Sequence, residues 1–257
     1  MEKLLVINKP IGMTPLQAIK KLKQKIKELQ NTKMTYAGRL DPLAHGILLI
    51  LIGEEAKERQ PYLSLPKSYE FEVIFGLQTD TYDLLGYLKE ENTKQITPNV
   101  KIIVNRFVKS MLGKNMQSYP PYSSKPVKGK PLFLWAKEGK LAEITLPQHE
   151  IEIYDFQVLS FGKIPGNALK QLVTTKIATV DGDFRQKVIL NRWMQFFSQA
   201  KDKQTFITAK FALSCSSGTY VRELVHQLGE QLGCGAVTLS LLRTSIGKYT
   251  LKNSITL

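Results

Sequence analysis

One segment of the sequence places a carboxylate on a glycine-bounded loop directly before a strongly apolar run. Gly38 and Gly46 bracket Asp41, which precedes a proline, and Ile47–Ile52 follow without a polar residue. An Asp-Pro pair taken alone is usually a turn. A carboxylate on a loop that a rigid strand anchors is also the arrangement in which catalytic groups tend to occur. Asp41 is therefore a candidate catalytic carboxylate, with a simple turn as the alternative.

A second segment ends a strand pattern, turns at a glycine and begins a helix. Its residues are Ser216-Ser217-Gly218-Thr219-Tyr220-Val221-Arg222. Because the helix starts at about Val221, Arg222 falls in its first turn, where the helix dipole favours anions rather than cations. This placement indicates a specific carboxylate or phosphate partner for Arg222. An ordinary surface arginine is the alternative.

The charge balance indicates a polyanionic partner. The chain has 257 residues, with 36 Lys and Arg against 22 Asp and Glu, which gives a formal net charge of +14. Such an excess favours binding to nucleic acid or to an anionic membrane surface. A lysine-rich composition also promotes solubility by itself, so that alternative stays open. A membrane-surface protein would carry a basic helix with an exposed bulky apolar face, and the sequence contains none.

Other common chemistries lack their motifs. Neither of the usual glycine-rich phosphate-binding motifs occurs, and the three histidines show no zinc-ligand spacing. Asp181-Gly182-Asp183 could open a calcium loop, but Arg192 stands where that loop needs a glutamate, so we interpret it as a turn. Two cysteines do not make a secreted framework, and no signal peptide or membrane-spanning run is visible. We therefore expect a cytoplasmic protein without a metal or cofactor. Separately, we expect a monomer.

The hydrophobic pattern predicts the elements that position these side chains. Ile47–Ile52 is typical of a strand buried on both faces. Tyr69–Phe75 alternates apolar and acidic residues, which predicts a half-buried strand with Tyr69 on the apolar side. Strands and helices are mixed without a regular βαβ rhythm, which predicts an α+β fold. Further strands are expected at Leu4–Ile7 and Phe206–Cys215, and helices after Thr14-Pro15, after Thr97-Pro98 and from Val221 to Gly233.

The first predicted helix combines an apolar stripe with a lysine-rich remainder. The stripe consists of Leu16, Ile19, Leu22, Ile26 and Leu29. Their spacing fits one helix face. Five lysines between positions 20 and 27 either face solvent or bind phosphate. Residues 117–131 contain four prolines and three lysines, and we expect an ordered basic loop there rather than a regular element.

Taken in order, these segments resemble the TruB family of tRNA pseudouridine synthases along nearly the whole chain. The matching motifs are Lys9-Pro10-x-Gly12-x-Thr14, Gly38-x-Leu40-Asp41-Pro42-Leu43-Ala44-x-Gly46, Gly53-Glu54-x-Ala56-Lys57, Lys67-Ser68-Tyr69, Thr79-Asp80-Thr81-x-Asp83-x-x-Gly86, Cys215-Ser216-x-Gly218-Thr219-Tyr220-Val221-Arg222 and Leu241-Leu242-Arg243-Thr244. Each motif alone is weakly specific, whereas their common order is highly specific.

The resemblance implies a fold and a reaction. The fold is that of the pseudouridine synthases, α+β with a mixed, largely antiparallel sheet flanked by helices. The reaction is isomerisation of uridine to pseudouridine in the T loop of tRNA, conventionally position 55, by base flipping and without a cofactor. Asp41 would be the nucleophile, acting on either the ribose or the base, with Arg222 as its ion-pair partner and Tyr69 stacked on the target base. The other substrate-binding residues that the resemblance implies are Lys9, Tyr36, Tyr220 and Leu242.

Several positions depart from the usual pattern of the family. Tyr36 stands where a histidine is usual, although both rings are flat and able to stack. A stretch at about 160–205 is atypical, and its residues Val188, Trp193, Phe196 and Phe197 predict a packed helix. Eight residues of this stretch are basic, including Lys201 and Lys203. We expect tRNA to contact Lys163, Lys170, Arg185, Lys187 and Arg192.

The resemblance also bears on domain organisation. Many bacterial members of the family continue into a C-terminal PUA domain, whereas this sequence ends shortly after the last motif. We therefore expect residues 1–257 to form a single catalytic domain without a PUA domain. A non-catalytic RNA-binding or RNA-chaperone protein on the same scaffold is the alternative. The presence of Asp41, Arg222 and Tyr69 together favours the enzyme, because binding alone needs no buried carboxylate.

Overall fold

The structure is a computed structural model that describes residues 3–89, 99–199 and 204–257. Within these ranges, ten strands form one large mixed sheet, helices pack against it, and two short strands form a separate hairpin. Most of the strand pairs in the sheet are antiparallel. The predicted α+β class with a largely antiparallel sheet is therefore confirmed.

Strands and helices are numbered here in chain order. The strands are β1 (Leu4–Lys9), β2 (Met34–Ala37), β3 (Ala44–Ile52), β4 (Lys67–Phe75), β5 (Gly113–Ser118), β6 (Pro126–Val127), β7 (Lys130–Pro131), β8 (Gln148–Pro165), β9 (Thr205–Cys215), β10 (Ala236–Ile246), β11 (Tyr249–Thr250) and β12 (Ile255–Thr256). The helices are α1 (Pro15–Lys25), α2 (Gln60–Leu63), α3 (Val100–Ser110), α4 (Leu132–Lys137), α5 (Gly166–Ala178), α6 (Gln186–Gln199) and α7 (Val221–Leu232).

The register of β10 brings the candidate residues together. The sheet order is β12-β1-β3-β10-β4-β9-β8-β5, with β2 on β3 and β11 on β10. β10 runs parallel to β3 with Leu241 opposite Ala44, and antiparallel to β4 with Arg243 opposite Tyr69. Since Asp41 lies in the loop that leads into Ala44, Asp41 and Tyr69 are placed on the two flanks of β10.

Apolar side chains fill both faces of the sheet. On one face, Phe71 and Phe211 stack with their ring centroids 5.1 Å apart, in a cluster that includes α3 and α7. On the other face, Ile74 and Val237 pack with Trp193 of α6. Successive residues of a strand point to opposite faces, so the single strand β4 contributes to both layers. The predicted burial of Ile47–Ile52 is also confirmed.

The first helix is shorter than its apolar stripe predicted. Thr14 and Gln17 form a reciprocal capping box at its start. Ile26 has extended backbone angles and ends the helix, so that Leu29 lies in the 3₁₀ turn that follows. Leu16, which was expected on the apolar face, is 60% exposed. The face that packs on the core begins at Pro15 instead and follows the spacing i, i+3, i+4, i+7. The buried residues of α1 are Pro15, Ala18, Ile19 and Leu22.

The predicted packed helix in the 160–205 stretch is α6. Trp193 is fully buried there and lies against Phe196 and Phe197, at centroid distances of 6.3 and 5.9 Å. The prediction is wrong for Val188, which is 57% exposed because it lies on the solvent side of the helix. A further helix, α5, precedes it. The expected helix start at Thr97-Pro98 and the basic residues Lys201 and Lys203 lie outside the described residues.

The prediction of a loop over residues 117–131 is wrong in part, because this region also contains short strands. β5 extends to Ser118, and β6 pairs with β7 in a hairpin that turns at Lys128 and Gly129, both with positive φ. Pro126 and Pro131 pair with each other at the open end of this short ladder, which is a position that proline tolerates. Across the ranges that the structure covers, no helix is long and apolar enough to span a membrane.

Candidate active site

A cleft of about 720 Å³ opens beside the Asp41 loop. This volume lies within the range of typical small-molecule sites. Five of the seven residues that the sequence singled out line this cleft: Tyr36, Asp41, Tyr69, Tyr220 and Arg222. The other two, Lys9 and Leu242, do not line it.

The loop that carries Asp41 is held at both ends. The amide of Gly12 donates to the carbonyl of Pro42 at 2.8 Å, and the amide of Ala44 donates to the carbonyl of Asp41 at 3.1 Å. Gly38 has a φ of 81°, a left-handed conformation that glycine adopts without strain. The side chain of Asp41 remains 29% exposed. The loop therefore presents a fixed carboxylate that is accessible from the cleft.

Arg243 of β10 also stabilises the Asp41 loop, through hydrogen bonds to backbone carbonyls. Its Nε donates to the carbonyl of Ile47 at 2.7 Å, Nη1 to that of Arg39 at 3.0 Å and Nη2 to that of Gly38 at 3.3 Å. Its side chain is 1% exposed. A buried guanidinium with five donors suits this task, because it satisfies several loop carbonyls from one rigid fork.

Arg222 lies beneath Asp41 with its guanidinium enclosed. Its Nε donates to Asp41 Oδ2 at 2.7 Å, and Asp83 Oδ2 lies 3.8 Å from the same nitrogen. Nη1 donates to the carbonyl of Thr81 at 2.6 Å, and Nη2 to that of Tyr122 at 3.4 Å. The structure thus supplies the carboxylate partner that the unfavourable helix position of Arg222 indicated.

The charges around Arg222 are strongly coupled. Burial disfavours the charged guanidinium, but the carboxylates of Asp41 and Asp83 outweigh this effect and raise the pKa of Arg222. Burial likewise raises the pKa of Asp83, with the Arg222 guanidinium opposing the shift. Arg222 therefore stays cationic between two carboxylates, one exposed to the cleft and one enclosed.

Three tyrosines form walls of the cleft. Tyr69 lies on β4 and is 8% exposed. Burial raises its pKa, and the charge of the Arg243 guanidinium opposes the shift. Burial also raises the pKa of Tyr220 to about 12. Tyr36 lies on β2, and its hydroxyl accepts a long hydrogen bond from Arg39 at 3.5 Å. Tyr69 and Tyr220 are therefore neutral at physiological pH, and all three residues offer flat rings to the cleft.

The structure places Lys9 and Leu242 outside the lining of the cleft. Lys9 is completely buried, and its ammonium donates to the carbonyls of Pro10 at 2.9 Å and Met13 at 2.7 Å. Burial lowers the pKa of Lys9 to about 7, against the opposing charge of Asp41. Lys9 thus braces the loop of residues 10–13 and does not line the cleft. Leu242 packs against Gly46 on β3, and strand alternation turns Leu241 towards the cleft in its place.

Sequence reasoning did not single out four residues that build the site: Lys67, Asp83, Tyr122 and Arg243. Lys67 donates to the carbonyls of Leu63 and Leu65 at 2.6 and 2.5 Å, and burial lowers its pKa to about 8. Lys67, Asp83 and Arg243 all lie in motifs that match the family, and this position in a motif could have identified them as site residues. Tyr122 lies in the proline-rich region 117–131, where no sequence motif pointed to it.

Comparison of the fold with solved structures gives its class. A chain in the crystal structure of a Cbf5–Nop10–Gar1 complex matches with a TM-score of 0.58 and 19% identity, covering 99% of this chain and 52% of that one. A chain in the structure of an H/ACA RNP bound to a substrate RNA containing 2'-deoxyuridine matches with a TM-score of 0.55 and 18% identity, covering 98% and 50%. This chain thus spans about half of each. The fold of this chain is therefore shared with these two chains, and its cleft holds a carboxylate–arginine pair.

Sequence comparison gives the family. Residues 24–180 match the TruB family pseudouridylate synthase (N terminal domain). The tRNA pseudouridine synthase B of Clostridioides difficile (strain 630) is 34% identical over 259 residues, covering 100% of this chain and 69% of that protein. The protein of the same name from Aquifex aeolicus (strain VF5) is 29% identical over 258 residues, covering 100% and 72%. The chain belongs to the TruB family of pseudouridine synthases.

Proposed function

We propose that this protein isomerises uridine to pseudouridine in the T loop of tRNA, at the position conventionally numbered 55, with Asp41 as nucleophile. The names of the two relatives support tRNA as the substrate. The observation that carries the proposal is the geometry of Asp41, which is accessible from the cleft and bonded from beneath by the buried Arg222 at 2.7 Å. The arginine orients the carboxylate without covering it.

The reaction needs few groups because it exchanges one bond for another within the nucleotide. The bond between N1 of the uracil and C1′ of the ribose breaks, the base rotates, and a bond between C5 and C1′ forms. The hydrogen on C5 leaves as a proton, and N1 gains a proton, so the composition of the nucleotide is unchanged. An ionised carboxylate serves this chemistry as a nucleophile that holds one fragment while the other turns.

The target uridine must leave its stack to reach Asp41. An extruded base loses its stacking neighbours, and aromatic side chains replace them. Tyr69 supplies such a ring at the inner wall of the cleft, and Tyr36 and Tyr220 supply rings elsewhere on its lining. In this proposal Tyr69 stacks on the uracil, and Tyr36 contacts a neighbouring base of the rearranged loop.

The cleft is also suited to a polyanion. Arg39 and Lys137 line it and are exposed, within a chain of formal net charge +14. Exposed cations around a nucleophile can hold the phosphates on either side of the target nucleotide. Their sequence-independent attraction accounts for affinity, while the pocket around Asp41 selects the base.

The proposal is tested by mapping pseudouridine in tRNA from cells that lack the protein. Position 55 of the T loop should be unmodified, and the wild-type gene should restore the modification, whereas a gene encoding Asp41→Asn should not. Loss of pseudouridine at another position would correct the target while supporting the chemistry. Full modification in the deletion strain, or restoration by Asp41→Asn, would instead favour a non-catalytic RNA-binding role.

A further inference from the structure

The loop between α5 and α6 reaches the same cleft from outside the motifs described above. Asp183, Phe184 and Arg185 line the cleft. Arg185 has a φ of 63°, in the left-handed region that non-glycine residues seldom adopt. Such a conformation persists only where the surrounding structure imposes it, and it is frequent at functional sites.

Hydrogen bonds around Arg185 hold its backbone in this left-handed conformation. The amide of Phe184 donates to Gln186 Oε1 at 2.8 Å, and Gln186 Nε2 donates to the carbonyl of Gly182 at 2.6 Å. The amide of Asp181 donates to the carbonyl of Gly12 at 3.0 Å. The loop is therefore fixed by its own hydrogen bonds. It is also connected through Gly12 to the Asp41 loop, because the amide of Gly12 donates to the carbonyl of Pro42.

From this fixed loop, Arg185 holds two other segments together. Its Nη1 donates to Asp80 Oδ2 at 2.9 Å, and its guanidinium lies 4.6 Å from the centroid of the Tyr122 ring. The Tyr122 hydroxyl donates to the same Asp80 oxygen at 2.8 Å. The other oxygen of Asp80 accepts from the amide of Tyr87 at 2.7 Å. Both oxygens of this carboxylate are thus bonded, and the guanidinium is stacked as well as paired.

The segments that Arg185 holds are the ones that hold Arg222. The carbonyl of Thr81, next to Asp80 in sequence, accepts from Arg222 Nη1 at 2.6 Å. The carbonyl of Tyr122 accepts from Arg222 Nη2 at 3.4 Å. Displacement of either segment would move a carbonyl that orients the guanidinium. A chain of contacts therefore links Arg185 to Arg222, and from there to Asp41.

We propose that Arg185 is a positioning residue for catalysis: by clamping Asp80 and Tyr122, it fixes the two carbonyl groups that aim the Arg222 guanidinium at Asp41. The inference rests on the proposed function, because it concerns the same nucleophile. It assigns a role in the chemical step to the α5–α6 loop. The competing role is a simple contact with a tRNA phosphate, for which the 30% exposure of the Arg185 side chain leaves room.

The test separates binding from chemistry in four variants: Arg185→Ala, Arg185→Lys, Tyr122→Phe and, as control, Lys114→Ala. Lys114 also forms an ion pair, with Glu150 at 3.1 Å, but it lies away from the cleft. The measurements are the dissociation constant for tRNA over a range of salt concentrations and the single-turnover rate constant at saturating enzyme. Arg185→Ala should lower the rate constant about tenfold or more with a dissociation constant within about threefold of wild type.

The other variants sharpen the test. Tyr122→Phe keeps the ring and loses the hydroxyl, so it should lower the rate in the same direction. The double variant should fall less than the product of the two single effects. Arg185→Lys should recover part of the rate, because an ammonium can pair with Asp80 but cannot stack on Tyr122 as a guanidinium does. Lys114→Ala should match wild type. Should Arg185→Ala fail to fold, Tyr122→Phe carries the test.

Two results would overturn the inference. One is weaker binding with a shallower salt dependence and a normal single-turnover rate in Arg185→Ala, which would identify a phosphate contact. The other is wild-type behaviour of both Arg185→Ala and Tyr122→Phe. Hydrogen exchange at residues 80–87 and 119–125, which does not depend on activity, should become faster in Arg185→Ala. Unchanged exchange contradicts the clamp itself, whereas an inactive wild type contradicts the proposed function.

Discussion

The guanidinium of Arg222 bonds to the carboxylate of Asp41 across 2.7 Å, although 181 positions separate the two residues in the chain. The side chain of Arg222 is 5% exposed and that of Asp41 is 29% exposed. The cation therefore lies inside the protein and the carboxylate lies at its surface, on the floor of the cleft. This asymmetry orients the carboxylate while one side of it faces the cleft.

Asp41→Asn should abolish pseudouridine formation and leave tRNA affinity within about threefold of wild type. The amide matches the carboxylate in volume, so the fold should survive, but it is not a nucleophile. Tritium release from 5-tritiated uridine tRNA under single-turnover conditions measures the chemistry, and filter binding measures the affinity. Asp155→Asn, an exposed carboxylate of β8, is the matched control and should behave as wild type. Substantial turnover in Asp41→Asn would contradict the assignment of Asp41 as nucleophile.

Arg222→Ala should lower the free energy of unfolding by about 3 kcal/mol or more, because it leaves Asp41 and Asp83 without their cation. The side chain of Asp83 is 12% exposed against 29% for Asp41, so its unpaired charge costs more. Adding Asp83→Asn to Arg222→Ala should therefore recover more stability than adding Asp41→Asn. Urea unfolding of the single and double variants at pH 7 measures this. Equal recovery in the two double variants would refute the ranking.

Tyr69→Phe should retain much more turnover than Tyr69→Ala. The phenylalanine keeps the flat ring, and stacking of a base on an aromatic side chain is worth ~1–3 kcal/mol. It loses only the hydroxyl. Single-turnover rate constants of the two variants measure the difference. Near-complete loss in both variants would indicate instead that the hydroxyl acts as an acid or a base.

The exposed lysines beside α5 and α6 should contribute to tRNA affinity more than the two arginines that were predicted with them. Lys163, Lys170 and Lys187 are exposed, whereas Arg185 pairs with Asp80 and Arg192 Nε donates to the carbonyl of Leu88 at 3.1 Å. Replacing the three lysines by alanine should reduce the slope of log affinity against log salt by about 0.7–0.9 for each phosphate that the variant no longer neutralises.

The control for this prediction is a pair of lysines already bonded to carboxylates. Lys114 pairs with Glu150, and Lys130 pairs with Glu138. Their replacement by alanine should leave the salt dependence nearly unchanged. A slope that is the same in the triple lysine variant and in wild type would exclude this surface as a tRNA contact.

Glu223 should make the stability of the protein fall as pH rises. Burial raises the pKa of its carboxyl from 4.5 to about 7, against a hydrogen bond from Gln227 and the charge of Arg222. Between these pH values the unfolded chain has released a proton that the folded protein keeps, so the extra stability present below pH 4.5 is lost as pH rises through 7. Glu223→Gln should remove this dependence and gain roughly 2 kcal/mol relative to wild type between pH 4.5 and 8.

Urea unfolding at pH 5 and pH 8 measures the effect of Glu223. Glu230→Gln is the matched control, because Glu230 lies on the same helix and is exposed. It should leave the pH dependence of wild type unchanged. If Glu223→Gln and Glu230→Gln show the same pH dependence, burial of Glu223 does not govern it.

Local patterns predicted the elements that carry the site, because the signals for them lie in neighbouring residues. The apolar run Ile47–Ile52 is the core of β3, and the alternation of Tyr69–Phe75 is β4. Gly233, with a φ of 68°, ends α7 where the pattern placed the end. A strand period, a cap or a left-handed glycine needs no distant partner to be recognised. The motifs on these elements likewise pointed to Asp41 and Arg222.

The sequence by itself thus determined the elements that position Asp41, Tyr69 and Arg222, and the tertiary structure decided what each side chain faces. Leu241 faces the cleft and Leu242 does not, because the register of β10 against β3 and β4 fixes the alternation. Lys9 is buried because the chain folds over it, although a lysine by type favours solvent. The clamp of Arg185 on Asp80 joins residues 105 positions apart. Such contacts depend on how segments that are distant in sequence pack together, and no local pattern of residues specifies that packing.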